Sequence, residues 1–292
     1  MRAGSPRAGE GRILRGLVST AAARSDEVFA ANRARARIEL TVAAASGATR
    51  RIRVLEQGSL RVRFPHVTGS ELEAILVNTA GGMAGGDQFD IDIAAGEGAR
   101  LLVGTTAAEK IYRSTGPATK VAVRLAASAG ATLRWLPQES ILFDRACLDR
   151  RIDVDLDDGA MLVLAEAVVL GRSAMGESVE QGELIDRWRV RVGGRLVLAE
   201  SVRLTGAIAA KLSERAVAAS GCAFATVLIV PGEERHVEAV RALDVSGEVG
   251  VSAWNGIAVA RLVAADGVAL RRDLAAVLSA FDTGPLPRLW VN

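Results

Sequence analysis

Three short segments constrain the fold before anything else does: Gly98-Ala99-Arg100-Leu101, Gly130-Ala131-Thr132-Leu133 and Gly159-Ala160-Met161-Leu162. Each opens an apolar run, and the starts lie about 30 residues apart. That spacing is too long for one hairpin and fits a multi-strand unit repeated along the chain. Glu97-Gly98, Ala129-Gly130 and Asp158-Gly159 read as the turns between strands. Around them apolar and polar residues alternate. Phe89, Ile91 and Ile93 alternate with Asp90 and Asp92; Val121, Val123 and Leu125 with Ala122 and Arg124. Ile152, Val154 and Leu156 alternate with Asp153, Asp155 and Asp157; Trp188, Val190 and Val192 with Arg189 and Arg191. Successive side chains on a strand point to opposite faces, so this period of two marks half-buried strands. The expected architecture is an elongated β scaffold rather than a nucleotide-binding α/β domain.

Helical signals are sparse. Ala207 to Ala219 is Ala-rich with Lys211, Glu214 and Arg215 on a polar side, and Asp273 to Phe281 is a second candidate. Arg271 and Arg272 stand just ahead of the latter, at the end where the helix dipole disfavours cations, which points to a role outside helix stability. Residues 1–27 are rich in Gly, Ser, Pro and Arg and are expected to form a flexible arm, with one domain spanning 28–292. The stretch Pro285 to Trp290 reads as extended, with Trp290 docked on the body.

Half of the 292 residues are hydrophobic but only 4% are aromatic, so the core must rest on Ala, Val and Leu. A net charge of +2 gives no reason to expect nucleic-acid binding. No run of membrane-spanning length is free of charge, and no apolar leader is evident, so a cytoplasmic protein without membrane contact is expected. The two cysteines, Cys147 and Cys222, permit one disulfide but read more simply as small buried hydrophobes.

The chemistry-bearing residues are few. The loop Asn78-Thr79-Ala80-Gly81-Gly82-Met83-Ala84-Gly85-Gly86-Asp87 follows a strand, but it lacks the Lys-Ser/Thr of a phosphate loop. It reads either as a tight turn or as a loop ordering a partner surface or polar channel. Lys110 and Arg113 read either as holders of a partner's carboxylate or as an internal ion pair with Glu109, the internal pair being the simpler reading. Glu139 and Asp144 flank an apolar strand, and Glu166 interrupts Leu162 to Val169. A buried carboxylate needs a partner, a proton or a metal. Glu166 therefore has two readings: an ion pair with Arg172 or a similar cation, or a carboxylate lining a hydrated passage. His66 and His236 are distant from each other, and no Cys-x-x-Cys pair exists, so neither a tight zinc or nickel site nor a Ser-His-Asp triad gains support. No tightly bound cofactor is expected.

Taken together, Gly81-Gly82 with Gly85-Gly86-Asp87, Ala107 to Arg113, Leu136-Pro137-Gln138-Glu139 with Phe143, Glu166 with Gly171-Arg172, Gly176-Glu177, Arg261-Leu262 and Pro287-Arg288-Leu289-Trp290 make the chain resemble the urease accessory protein UreD (UreH) family. The resemblance runs from about Val28 to Trp290. It implies a helicoidal β scaffold of stacked strands with a few helices toward the C-terminal part. It also implies a non-enzymatic protein that binds UreF, UreG through UreF, and apo-urease, and that assists nickel insertion. On that resemblance Glu139, Glu166, Glu177 and Asp87 become candidate stations for transient Ni2+, and Arg261, Arg288 and Trp290 candidate partner-binding residues. The rival reading is a β-rich hydrolase or lyase using Glu139 and Glu166 as an acid–base pair.

Overall fold

A computed structural model of the 292-residue chain describes residues 33–65, 69–172, 175–281 and 284–290. The expected arm at 1–27 lies outside the described residues. Of the domain expected from Val28, the first described strand is β1 (Arg35–Ala45).

The three repeated segments become three coils of a β solenoid. Each coil is one strand, a glycine turn, and a second strand in a facing sheet: β5 (Gln88–Ala95) with β6 (Arg100–Thr105), β8 (Thr119–Ala127) with β9 (Thr132–Trp135), and β11 (Cys147–Leu156) with β12 (Met161–Leu170). β5, β8 and β11 pair in parallel in one sheet, and β6, β9 and β12 do the same in the other. The register stacks the repeats: Leu101 lies beside Leu133, and Leu133 beside Leu162. Gly98, Gly130 and Gly159 take φ of +65°, +68° and +79°, which an L side chain adopts only with strain. The alanine after each glycine is buried, as the tight stacking of turns demands. The turns are also tied by backbone bonds, with Ser128 N–H donating to Ala95 O and Thr132 N–H to Ala99 O.

The first sheet has seven strands in the order β14-β13-β11-β8-β5-β1-β2, with β2 (Ala48–Gln57) at one edge. β13 (Gln181–Val192) and β14 (Arg195–Ala207) close the other edge. The second sheet runs β16-β17-β15-β12-β9-β6-β4-β3. Its first end holds β3 (Leu60–Arg63) and β4 (Leu72–Asn78), and its far end β15 (Ala223–Val230), β16 (Glu248–Trp254) and β17 (Ile257–Ala264). Short β7 (Glu109–Ile111) and β10 (Ser140–Leu142) pair with each other, and β10 joins β12. The main core lies between the sheets and is built from Leu, Ile, Val and Ala with few aromatics.

The two outer faces differ. That of the first sheet is open and carries cross-strand ion pairs such as Arg37–Asp92, Arg124–Asp90 and Arg187–Asp149. That of the second is covered near the C-terminal end by helices α2 (Glu234–Arg241) and α3 (Gly267–Ala280), which build a second core. No helix among the described residues is long and apolar enough to cross a membrane.

The helices depart from expectation in three ways. The Ala207–Ala219 signal yields only α1 (Ile208–Ser213) before the chain turns. α3 starts six residues earlier than Asp273, capped by Asp266, whose side chain accepts from Ala269 N–H. Arg271 and Arg272 therefore sit inside the helix, past its first turn. α2 was not signalled by apolar periodicity; it is fixed by a capping box in which Glu233 and His236 bond each other's backbone N–H. The Pro285–Trp290 stretch ends in a 3-10 turn at Arg288–Trp290, and Trp290 is buried with its Nε1–H on Leu136 O at 3.0 Å.

Candidate functional site

Three strands each break their apolar phase with one charged residue. On β11, Leu148, Ile152 and Val154 share a face with Arg150; on β13, Leu184, Trp188 and Val190 share one with Asp186; on β12, Leu164 and Val168 share one with Glu166. All three charged side chains therefore enter the space between the sheets. Parallel register sets Arg150 beside Asp186, and the facing sheet delivers Glu166. Arg150 Nε and Nη2 donate to Asp186 at 3.1 and 2.5 Å, and Nη1 donates to Glu166. Trp135 Nε1–H donates to Glu166 at 2.8 Å, and Trp188 Nε1–H to Asp186 at 3.2 Å. Burial works against the charged guanidinium, but the two carboxylates outweigh it and hold the Arg150 pKa above the ordinary arginine value. Burial dominates at Glu166 and drives its pKa upward, with Arg150 opposing and Asp186 adding to the rise. Two buried carboxylates against one guanidinium leave the trio one negative charge in excess when all are ionised.

Beside this trio lies a cavity of about 60 Å3, enough for roughly four waters. Ile91, Val121 and Val123 give it an apolar floor from the first sheet. Its polar lining comes from Arg150, Glu166, Asn78, Thr105, Glu109, Gln138 and Ser140. Glu109 sits at the start of β7, where its backbone N–H donates to Glu139 O at 2.9 Å. Its carboxylate accepts from Asn78 Nδ2 at 3.1 Å and has no cation within ion-pairing distance among the described residues. Burial raises its pKa, and the Asn78 amide only partly offsets that. The expected pair with Lys110 or Arg113 does not form; both of those cations are exposed. The carboxylate that sequence reasoning set aside as paired is thus the one in the cavity without a counter-charge.

The glycine-rich loop holds this wall in place. Asn78 anchors it through Ala80 N–H and Gly82 O, and Tyr112 OH donates to Gly81 O at 3.0 Å. A Cβ on Gly82 would meet the Tyr112 ring at 2.5 Å, so only glycine fits there. The loop turns tightly, and its Asn78 and Met83 line the cavity.

The other candidate stations lie elsewhere. Asp87 is buried and closes the loop, accepting from Ala34 N–H at 2.9 Å and Ala84 N–H at 2.7 Å. Glu177 pairs with Arg172 at 2.6 Å, so Arg172 neutralises Glu177 and not Glu166. Glu139 pairs with Arg271 of α3 at 3.3 Å and, unlike Glu166, is not part of the cavity lining. Gln138 next to it does line the cavity and is held from behind by Arg271 Nη1 at 2.5 Å and Leu289 O at 3.3 Å. That contact accounts for the arginine that looked misplaced in the helix. Trp290 and Arg261 face opposite sides of the second sheet: Trp290 belongs to the core under the helices, while Arg261 reaches Glu200 of β14. Arg288 is exposed in the same 3-10 turn as Trp290. No group of three or more His, Cys, Asp or Glu suited to a resident metal occurs among the described residues.

The sequence matches the family described as UreD urease accessory protein over residues 34–291. Among curated relatives, a protein named urease accessory protein UreD from Rhodopseudomonas palustris (strain BisA53) is 55% identical over 267 residues, covering 91% of this chain and 93% of its own. One of the same name from Bradyrhizobium diazoefficiens is 54% identical over 270 residues, covering 92% of this chain and 98% of its own.

Proposed function

The chain belongs to the UreD family of urease accessory proteins, and from that premise we propose that it is a non-enzymatic scaffold that binds apo-urease and UreF, and UreG through UreF, and assists nickel insertion with Ni2+ as passing cargo. The observation that carries the nickel part is a cavity between two apolar sheets whose largely apolar wall is interrupted by polar side chains, the carboxylates Glu109 and Glu166 among them. A hydrated dication crossing a protein needs water and oxygen donors that hold it weakly, because one strong site would trap it. The cavity supplies amide, hydroxyl and carboxylate oxygens without the imidazole or thiolate that would retain nickel. Of the four carboxylates first considered, Glu166 lines this space and Glu109 joins it; Asp87, Glu139 and Glu177 are engaged in contacts outside it. Glu166 is bound to Arg150 and Trp135, so its part is to set the charge of the cavity wall. Glu109 is the group free to meet a cation.

The test is urease activity and urease nickel content in cells lacking only this gene, with apo-urease levels checked. Urease that accumulates nickel-poor and inactive, and recovers on re-expression, supports the reading. Normal nickel content and activity would refute it.

A further inference from the structure

The charge of the chain is segregated along its length. Residues 33–63 hold eight arginines against two glutamates, a net +6, while residues 64–292 carry a net −6. The fold gathers that basic stretch at one end of the molecule, because β1 and β2 end the first sheet and β3 ends the second. β2 has no partner on its outer side among the described strands. Five successive residues on it, Arg50, Arg51, Ile52, Arg53 and Val54, are exposed, with Ile52 at 65% and Val54 at 40%.

The arginines of the first sheet fall into paired and unpaired groups. Arg37, Arg124, Arg151, Arg187 and Arg191 each have a carboxylate partner on the open face. Arg53 pairs with Glu39 at 2.7 Å, whereas Arg50 and Arg51, like Arg195 and Arg203 on β14, have no carboxylate within ion-pairing distance among the described residues. Arg51 instead lies over the Phe64 ring at 4.6 Å. Charges that only guard a strand edge from aggregation need no accompanying open Ile and Val. Arginine beside exposed apolar side chains is the composition of a docking surface.

We propose that this end, centred on Arg50 to Val54 of β2, docks an acidic surface of a partner protein. The inference rests on the scaffold reading, and places a partner contact at the opposite end of the solenoid from Arg261 and the C-terminal helices.

The experiment measures binding of the purified full chain to purified apo-urease and to purified UreF at 0.05 and 0.3 M salt. Wild type is compared with R50E/R51E, with the milder R50Q/R51Q, and with R195E/R203E, which makes the same charge change at the β14 edge; thermal melting checks folding. The expected result is about tenfold weaker binding of one of the two partners for R50E/R51E at low salt. A smaller loss for R50Q/R51Q, a flatter salt dependence, and unchanged binding for R195E/R203E complete the expectation. Equal losses in both charge-reversed proteins, or none in R50E/R51E, would overturn the docking face alone. Failure of wild type to bind either protein would overturn the scaffold reading and the face with it. A wild-type dimer at low salt that R50E/R51E abolishes would assign the face to a second copy instead. Tighter binding to a 20-base-pair duplex, lost in R50E/R51E, would assign it to nucleic acid.

Discussion

Glu166 and Glu109 line one cavity, and burial raises the pKa of both, yet their surroundings are opposite. Glu166 is held by a guanidinium and an indole N–H that come from two different sheets. Glu109 meets a single neutral amide. The first arrangement ties the sheets together: removing the buried cation would strand two buried carboxylates, whereas removing the Glu166 charge leaves Arg150 matched by Asp186. The second leaves a carboxylate able to exchange a proton, water or a cation, because no fixed charge competes for it. One carboxylate of the cavity is locked in ionic contacts, and the other has no counter-charge among the described residues.

The largest effect should come from Arg150→Met. It would strand Glu166 and Asp186 without a cation, at a cost of about 3–5 kcal/mol, read as a lowered urea midpoint. A loss under about 1 kcal/mol would mean that the trio does not lock the sheets. Trp290→Ala should cost about 3 kcal/mol, because it empties a buried site and exposes the Leu136 carbonyl behind the cavity wall. Glu166→Gln should cost less, about 1.5 kcal/mol, because Asp186 still holds Arg150 through two bonds and the trio becomes electrically balanced. Equal losses for Arg150→Met and Glu166→Gln would contradict that asymmetry.

Glu109→Gln should have the smallest effect, and of opposite sign. Burial raises the Glu109 pKa, so the folded chain binds its proton more tightly than the unfolded chain does. The ionised carboxylate therefore opposes folding above its folded pKa, and the penalty fades as pH falls through that value toward the unfolded one. The variant should be slightly more stable than wild type at pH 7, with the difference vanishing below the ordinary carboxylate range. A clear destabilisation at pH 7 would reveal a partner for Glu109 that the structure does not show.

The coils were legible because the Gly-Ala repeats mark the turn of each, a period of two marks their strands in the first sheet, and continuous apolar runs mark those in the second. Glu166 was legible as a charge in an apolar run, and its partner was not. Arg172 is close in sequence, whereas Arg150 is brought to Glu166 by sheet-to-sheet packing, which no local pattern encodes. A signal did exist: Arg150 and Asp186 fall on the apolar phase of their strands, just as Glu166 does. Among the acids, sequence could not separate Glu139 from Glu109, since the difference is which of them a helix arginine reaches. The C-terminal helix was misplaced by six residues because its cap, Asp266, precedes a stretch with arginines in its second turn.

The most direct test of the cavity's role is nickel per urease in cells carrying Glu109→Gln, at wild-type levels of this protein, UreF and apo-urease, with complex formation checked by co-purification. The account predicts an intact complex delivering urease that is poor in nickel. An intact complex with fully loaded urease would contradict it and move the nickel route away from the space between the sheets.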